Sequence, residues 1–180
     1  MLGKSAFCFS SLKKLLSFIL FLFLLSTLSN CVSIKSVRDP NFNKKISKVF
    51  VEIDGSNRAE NYFENLKFNL NRRFYESDIE SIFYMRNALS LDSPEDKNKQ
   101  IAEYQPDVIF YIIQTSHNTV NGVNSGGVLE LTLVEPGSDK PVWKAVLEMD
   151  TGGWGMGDHA QVANKIFEQL RKDGIIPKRS

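Results

Sequence analysis

Val108-Ile109-Phe110-Tyr111-Ile112-Ile113 is the stretch whose reading decides the fold. It is a nearly unbroken run of β-branched, aliphatic and aromatic residues, opened by Pro106-Asp107. Such a run offers no polar face to water, so it predicts a central strand covered on both sides. Upstream, Ser93-Pro94-Glu95-Asp96 is a helix start, with Ser93 as cap and Pro94 in the first turn, where its missing amide donor costs little. That helix should stop near Tyr104, because Pro106 disfavours helical geometry at Gln105.

Further out, Ser81–Met85 reads as a strand, and Phe63, Leu66, Leu70 and Phe74 recur at helical spacing as one core stripe. Asn57 with Glu60 three residues on marks the start of that helix, and Lys48–Ile53 before Asp54-Gly55 reads as a strand. Downstream, Leu129, Leu131 and Leu133 alternate with Glu130 and Thr132, while Trp143, Ala145, Leu147 and Met149 alternate with Lys144 and Glu148. Pro136-Gly137-Ser138-Asp139 supplies the turn of an antiparallel hairpin between them. A last helix runs from Asp158, paired with Gln161, to Gly174 as its left-handed stop. The order β-α-β-α-β-β-β-α predicts an α/β (α+β) domain. It has a two-layer mixed sheet of about five strands and three helices, parallel early and antiparallel late.

The amino end has a different character. Lys4, Lys13 and Lys14 precede Leu15–Leu28, an apolar core of about 14 residues, which suits a signal h-region better than the ~20 needed to span a bilayer. Leu28-Ser29-Asn30-Cys31 resembles the bacterial lipobox, with Asn30 where the usual pattern has Gly, Ala or Ser, as in the looser lipoboxes of Bacteroidetes. The resemblance implies that residues 1–30 are a lipoprotein signal peptide and that Cys31 becomes the acylated first residue. Residues 31–45, with little periodic hydrophobicity and with Pro40, read as a tether, leaving 46–180 as a single α/β domain. No acidic cluster follows Cys31 and Val32 is not Asp, which under lipoprotein sorting rules implies a periplasm-facing anchor in the outer membrane.

Cys8 and Cys31 are the two cysteines. With Cys8 in the leader, the remainder has no thiol pair for a disulfide or a cysteine metal cluster, and lipidation would consume Cys31. All 21 acidic residues lie beyond Asn30, as do 19 of the 22 basic ones, so that part carries a formal charge of −2. Such a balance leaves no electrostatic footprint for nucleic acid.

Pro106-Asp107-Val108-Ile109, Glu135-Pro136-Gly137, Lys140-Pro141-Val142-Trp143 and Lys172-Asp173-Gly174-Ile175-Ile176, in this element order, resemble small envelope lipoprotein domains. Among these are the amino-terminal domain of TolB and the lipoprotein activators of penicillin-binding proteins. The similarity covers roughly residues 46–177, and it implies this fold, while sites have to be argued separately from it.

Two segments carry candidate binding residues. Gly152-Gly153-Trp154-Gly155-Met156-Gly157-Asp158 sits between a strand and a helix, but its spacing fits neither the dinucleotide fingerprint nor the Walker pattern. The segment instead reads as a flexible connection with Trp154 folded back over the sheet edge, or as a partner-facing loop with Trp154 and Met156 exposed, since exposed aromatics favour interfaces. The stretch 117–127 reads as a long polar loop, with His117, Asn121 and Asn124 as candidate contacts. His117 and His159 align with no serine elbow and no metal-ligand spacing, so the expectation is a protein without catalysis, cofactor or metal. Membrane attachment through Cys31 and an envelope protein partner are expected. A small-ligand or glycan binder is the alternative, and a weak hydrolase the second alternative.

Overall fold

The computed structural model describes residues 31–56, 59–86, 93–120, 123–138, 140–150 and 158–177. Among them are six strands and three helices: β1 (Cys31–Arg38), β2 (Lys48–Asp54), α1 (Glu60–Tyr75), β3 (Glu80–Met85), α2 (Pro94–Tyr104), β4 (Val108–Val120), β5 (Val123–Val134), β6 (Pro141–Asp150) and α3 (His159–Lys172). One mixed sheet holds all six strands in the order β1-β6-β5-β4-β2-β3. The α+β class expected from the sequence is what the chain adopts, with one strand more than expected.

β2 pairs in parallel with β3 on one side and with β4 on the other, and β4, β5, β6 and β1 continue antiparallel. The chain therefore leaves β2 in one direction for β3, then turns back past β2 to lay down β4. Right-handed crossovers then place α1 and α2 on opposite faces of the sheet. The packing agrees. Phe63, Leu66, Leu70 and Phe74 of α1, with Val162, Ile166, Phe167 and Leu170 of α3, close the main core over Val51, Ile53, Phe110, Leu131 and Leu147. On the outer face, Ile101 and Tyr104 of α2 cover a smaller cluster of Phe50, Ile109 and Val134. Glu52, buried on that side of β2, accepts from Lys97 Nζ of α2 at 2.9 and 3.0 Å. The expected two layers thus gain a partial third, because β4 returns to the far side of β2.

The punctuation residues behave as their chemistry requires. Ser93 Oγ accepts from Asp96 N, and the Asp96 carboxylate accepts in return from Ser93 N, a reciprocal capping box. Asp158 caps α3 by accepting from Ala160 N at 2.8 Å. Gly174, at φ +68°, ends α3 while Ile175 N donates back to Leu170 O. At α1 the cap position is Ala59, whose methyl can accept no capping hydrogen bond, and Asn57 lies outside the described residues.

Two expectations are corrected. Residues 31–45 are no tether: Cys31–Arg38 form edge strand β1 along Trp143–Asp150 of β6, and Phe42 and Ile46 are buried. Val32 and Ile34 face the core, but Ser36 and Arg38 share that face, so the apolar alternation is too thin to announce a strand. Nor is 117–127 a long loop. β4 and β5 run on to a pairing of Val120 with Val123, leaving only Asn121 and Gly122 between them, outside the described residues. Register shifts at Gln114/Ser116 and Asn118/Thr119 absorb the polar residues, and Gly126 takes a positive φ of 139° beside the second.

Candidate functional site

Strand register brings Cys31 to a defined place. It opens β1 opposite Asp150 of β6, Asp150 lies opposite Gly126 of β5, and Gly126 opposite Asn118 of β4. The row Cys31–Asp150–Gly126–Asn118 thus crosses one end of the sheet, and the β4–β5 hairpin extends beyond it. His117, opposite Gly127, and Asn124, opposite Thr119, sit at that end. Of the residues chosen from sequence, Cys31, His117 and Asn124 share this end as backbone positions. Asn121, Trp154 and Met156 lie outside the described residues.

Behind this end, α1 meets α3 through polar side chains. Asn69 Nδ2 donates to Asn65 O at 2.8 Å, and Asn69 Oδ1 accepts from Arg72 Nη2, so the amide orientation follows from partners that cannot reverse roles. Asn69 Nδ2 also lies 3.2 Å from His159 Nδ1, so the amide links α1 to the first turn of α3. Tyr62 packs edge-on against Phe63, and its hydroxyl donates to Met149 Sδ at 3.3 Å. Burial pushes the Tyr62 hydroxyl well above its ordinary value, and the Asp158 carboxylate pushes it further. A phenol so held keeps its proton, which suits an anchor between helix and strand and not a base.

What holds β1, and so Cys31, against the domain lies at the strand's other end. The Asp173 carboxylate accepts from Ser36 Oγ at 2.6 Å, from Trp143 Nε1 at 2.7 Å and from Gln169 Nε2 at 3.0 Å, and Arg38 Nη1 donates to the Asp173 carbonyl at 2.7 Å. Burial works to raise the Asp173 pKa, but donation from Ser36, Trp143 and Gln169 outweighs it and holds the carboxyl below its usual value. This junction has no signature in the sequence. Asp173 reads only as the end of a helix, and Ser36 and Trp143 are 137 and 30 residues away from it.

Among the described residues, three shallow depressions measure about 210, 260 and 310 Å³. The first lies at the carboxyl ends of β2 and β3, lined by Gly55, Glu60, Phe63 and Arg86 among others. None of the three is lined by tryptophan or tyrosine. Among the described residues no group of three or more His, Cys, Asp or Glu is placed to hold a metal ion, and no helix is long and apolar enough to cross a membrane.

No family model matches the chain and no curated protein matches it. Solved structures do resemble it in fold. The PelC dodecamer from Paraburkholderia phytofirmans superposes with a TM-score of 0.51 at 10% identity, covering 78% of this chain and 95% of that one. A point variant of the same PelC dodecamer, in another crystal form, gives 0.50 at 10% identity over 82% of this chain and 100% of that one. At such identity the likeness is one of fold.

Proposed function

We propose that this chain is a lipid-anchored accessory protein of the outer membrane, periplasm-facing, that acts by binding another envelope protein and performs no catalysis. The observation that carries the reading is the place of Cys31. It follows a signal-like leader directly, and it is also the first residue of a strand built into the sheet. Acyl chains on this residue would be worth ~0.8 kcal/mol per buried CH₂, and two or more make a stable anchor. With no linker after the anchor, the domain would stand against the bilayer, its β4–β5 hairpin on the membrane side and the opposite end of the sheet toward the periplasm.

Among the described residues the depressions are shallow, which supports a protein partner over a small ligand, because ligand sites are concave and enclose most of what they bind. The likeness to a PelC that assembles as a dodecamer fits an assembly role, as does the resemblance to TolB-type and penicillin-binding-protein activator domains. Mass spectrometry of the mature protein tests the premise. A first peptide beginning at Cys31 with a diacylglyceryl mass is expected, and Cys31→Ser should leave an unprocessed leader. A mature terminus elsewhere, or an unmodified Cys31, would overturn the reading.

A further inference from the structure

We infer that the outer face of β1, β6 and β5 is a self-complementary surface through which two copies of this chain pair face to face about a two-fold axis. α2 covers the β3–β2–β4 part of this side and reaches only Val134 at the end of β5, so among the described residues the β1–β6–β5 part is left uncovered by a helix. Its outward residues form a three-by-three tile fixed by strand register. Val37, Lys35 and Ser33 on β1 lie beside Lys144, Val146 and Glu148 on β6, and these beside Thr132, Glu130 and Val128 on β5. Val146 is the centre of the tile and of a shallow depression; it is 40% exposed, and Val37 at one corner is 75% exposed.

The charges around Val146 are sorted. Lys144 and Lys35 occupy two adjacent sides, Glu148 and Glu130 the two opposite sides, and all four are exposed. None of them forms an ion pair among the described residues; Glu148 accepts a hydrogen bond from Ser33. A two-fold axis in the sheet plane along the diagonal Thr132–Val146–Ser33 exchanges the two halves. It sets Lys144 against Glu130 of the second copy, Lys35 against Glu148, Val37 against Val128, and Val146 against itself. Neighbours along a strand are ~6.7 Å apart and neighbours across strands ~4.8 Å, so the facing charges miss by about 2 Å, within the reach of Lys and Glu side chains. That diagonal also crosses the strands of the two copies at about 90°, the orthogonal class of sheet packing. Strand twist bends both sheets apart along the axis, making room for α2 of each copy, and brings the Val37 and Val128 corners together.

The occupant is a second copy because the charge pattern is complementary to itself, whereas an unrelated partner needs no such symmetry. The tile spans roughly 15 by 20 Å on strand geometry. Its few hundred Å² fall short of the ~800 Å² per partner of a standard interface, so the dimer is weak, with Kd on the order of 10–100 μM in solution. Pairing does not depend on lipid attachment. Should Cys31 be acylated, the anchors of both copies leave from the same end of the axis, beyond Ser33, and confinement to one membrane raises the effective concentration.

Sedimentation equilibrium of the full chain in detergent, with carbodiimide coupling of a mixed ¹⁴N/¹⁵N sample, tests this. Expected are a concentration-dependent dimer and isotopically mixed Lys144–Glu130 and Lys35–Glu148 cross-links. Lys144→Glu or Glu130→Lys alone puts like charges together twice per dimer and should weaken association tenfold or more, while the double variant restores it to within about threefold. Recovery in the double variant also shows that the single variants fold. A chain that stays monomeric up to ~1 mM, cross-links confined to one isotope, or a double variant no better than the singles would each overturn the inference.

Discussion

Replacing Asp173 with alanine removes the acceptor on which the β1 edge, the core indole and the end of α3 converge. Three donors lose a charged partner: Ser36 Oγ, Trp143 Nε1 and Gln169 Nε2. They do not count equally. Gln169 Nε2 already donates to Ser36 Oγ at 2.7 Å, and both residues are half-exposed, so these two can turn to each other and to water. Trp143 is 1% exposed, and its indole N–H is left unpaired in the interior, at about 1–3 kcal/mol. With about 1 kcal/mol for the other two together, the loss comes to about 2–4 kcal/mol, a large share of the 5–15 kcal/mol typical of a domain. At roughly 2–4 °C per kcal/mol for a chain of this size, Tm should fall by about 5–15 °C.

Asp173→Asn keeps an oxygen for Trp143 and loses only charge, so it should cost about 1–2 kcal/mol. Because the carboxyl is held below its ordinary value in the folded chain, its stabilisation is full above the unfolded pKa of about 4 and fades as pH falls through the folded one. The gap between wild type and Asp173→Asn should therefore close below about pH 4. Urea titrations read by circular dichroism from pH 7 to pH 3, with hydrogen exchange of the β1 amides, supply the measurement. An alanine variant within about 0.5 kcal/mol of wild type, or a gap to the asparagine variant that ignores pH, would refute the accounting.

Gly55 and Gly137 should respond to alanine for opposite reasons. A Cβ at Gly55 would stand 2.1 Å from the ring of Phe63, itself buried in the core, so Gly55→Ala should cost about 3 kcal/mol or more in a denaturation midpoint, against about 1 kcal/mol at Gly137, where φ is +77° but nothing lies within 4 Å. Lys97→Ala strands the buried carboxylate of Glu52 and should destabilise by about 3–5 kcal/mol, whereas Lys97→Met with Glu52→Leu should recover most of it; equal losses in the single and the double variant would show that the pair is not what holds α2 to the sheet.

Where local chemistry suffices, the fold was legible in the residues themselves. The run at Val108–Ile113 is the first half of β4, Ser93-Pro94 starts α2, Pro136-Gly137 turns β5 into β6, and Gly174 stops α3. Each is a short-range preference, set by one residue's dihedrals or by a period of two or 3.6 along the chain. The hairpin beyond Gln114 was hidden because its polar residues mimic a loop until the register with β5 pairs their backbone. The candidate contacts were legible only in part: strand pairing gathers Cys31, His117 and Asn124 at one end, and no local pattern could have done so.

By itself, then, the sequence determined the class of fold, the caps of α2 and α3, the β5–β6 turn, and the signal-like leader running into Cys31, all of which are written in neighbouring residues. Tertiary structure alone decided that the stretch after Cys31 is a strand. Val32, Ile34, Ser36 and Arg38 become an inner face only once β6 and α3, more than a hundred residues later, are there to receive them. The outer face has the same origin. Lys35, Lys144, Glu130 and Glu148 come from three strands, and they form a sorted pattern only because backbone hydrogen bonding sets those strands side by side in one register.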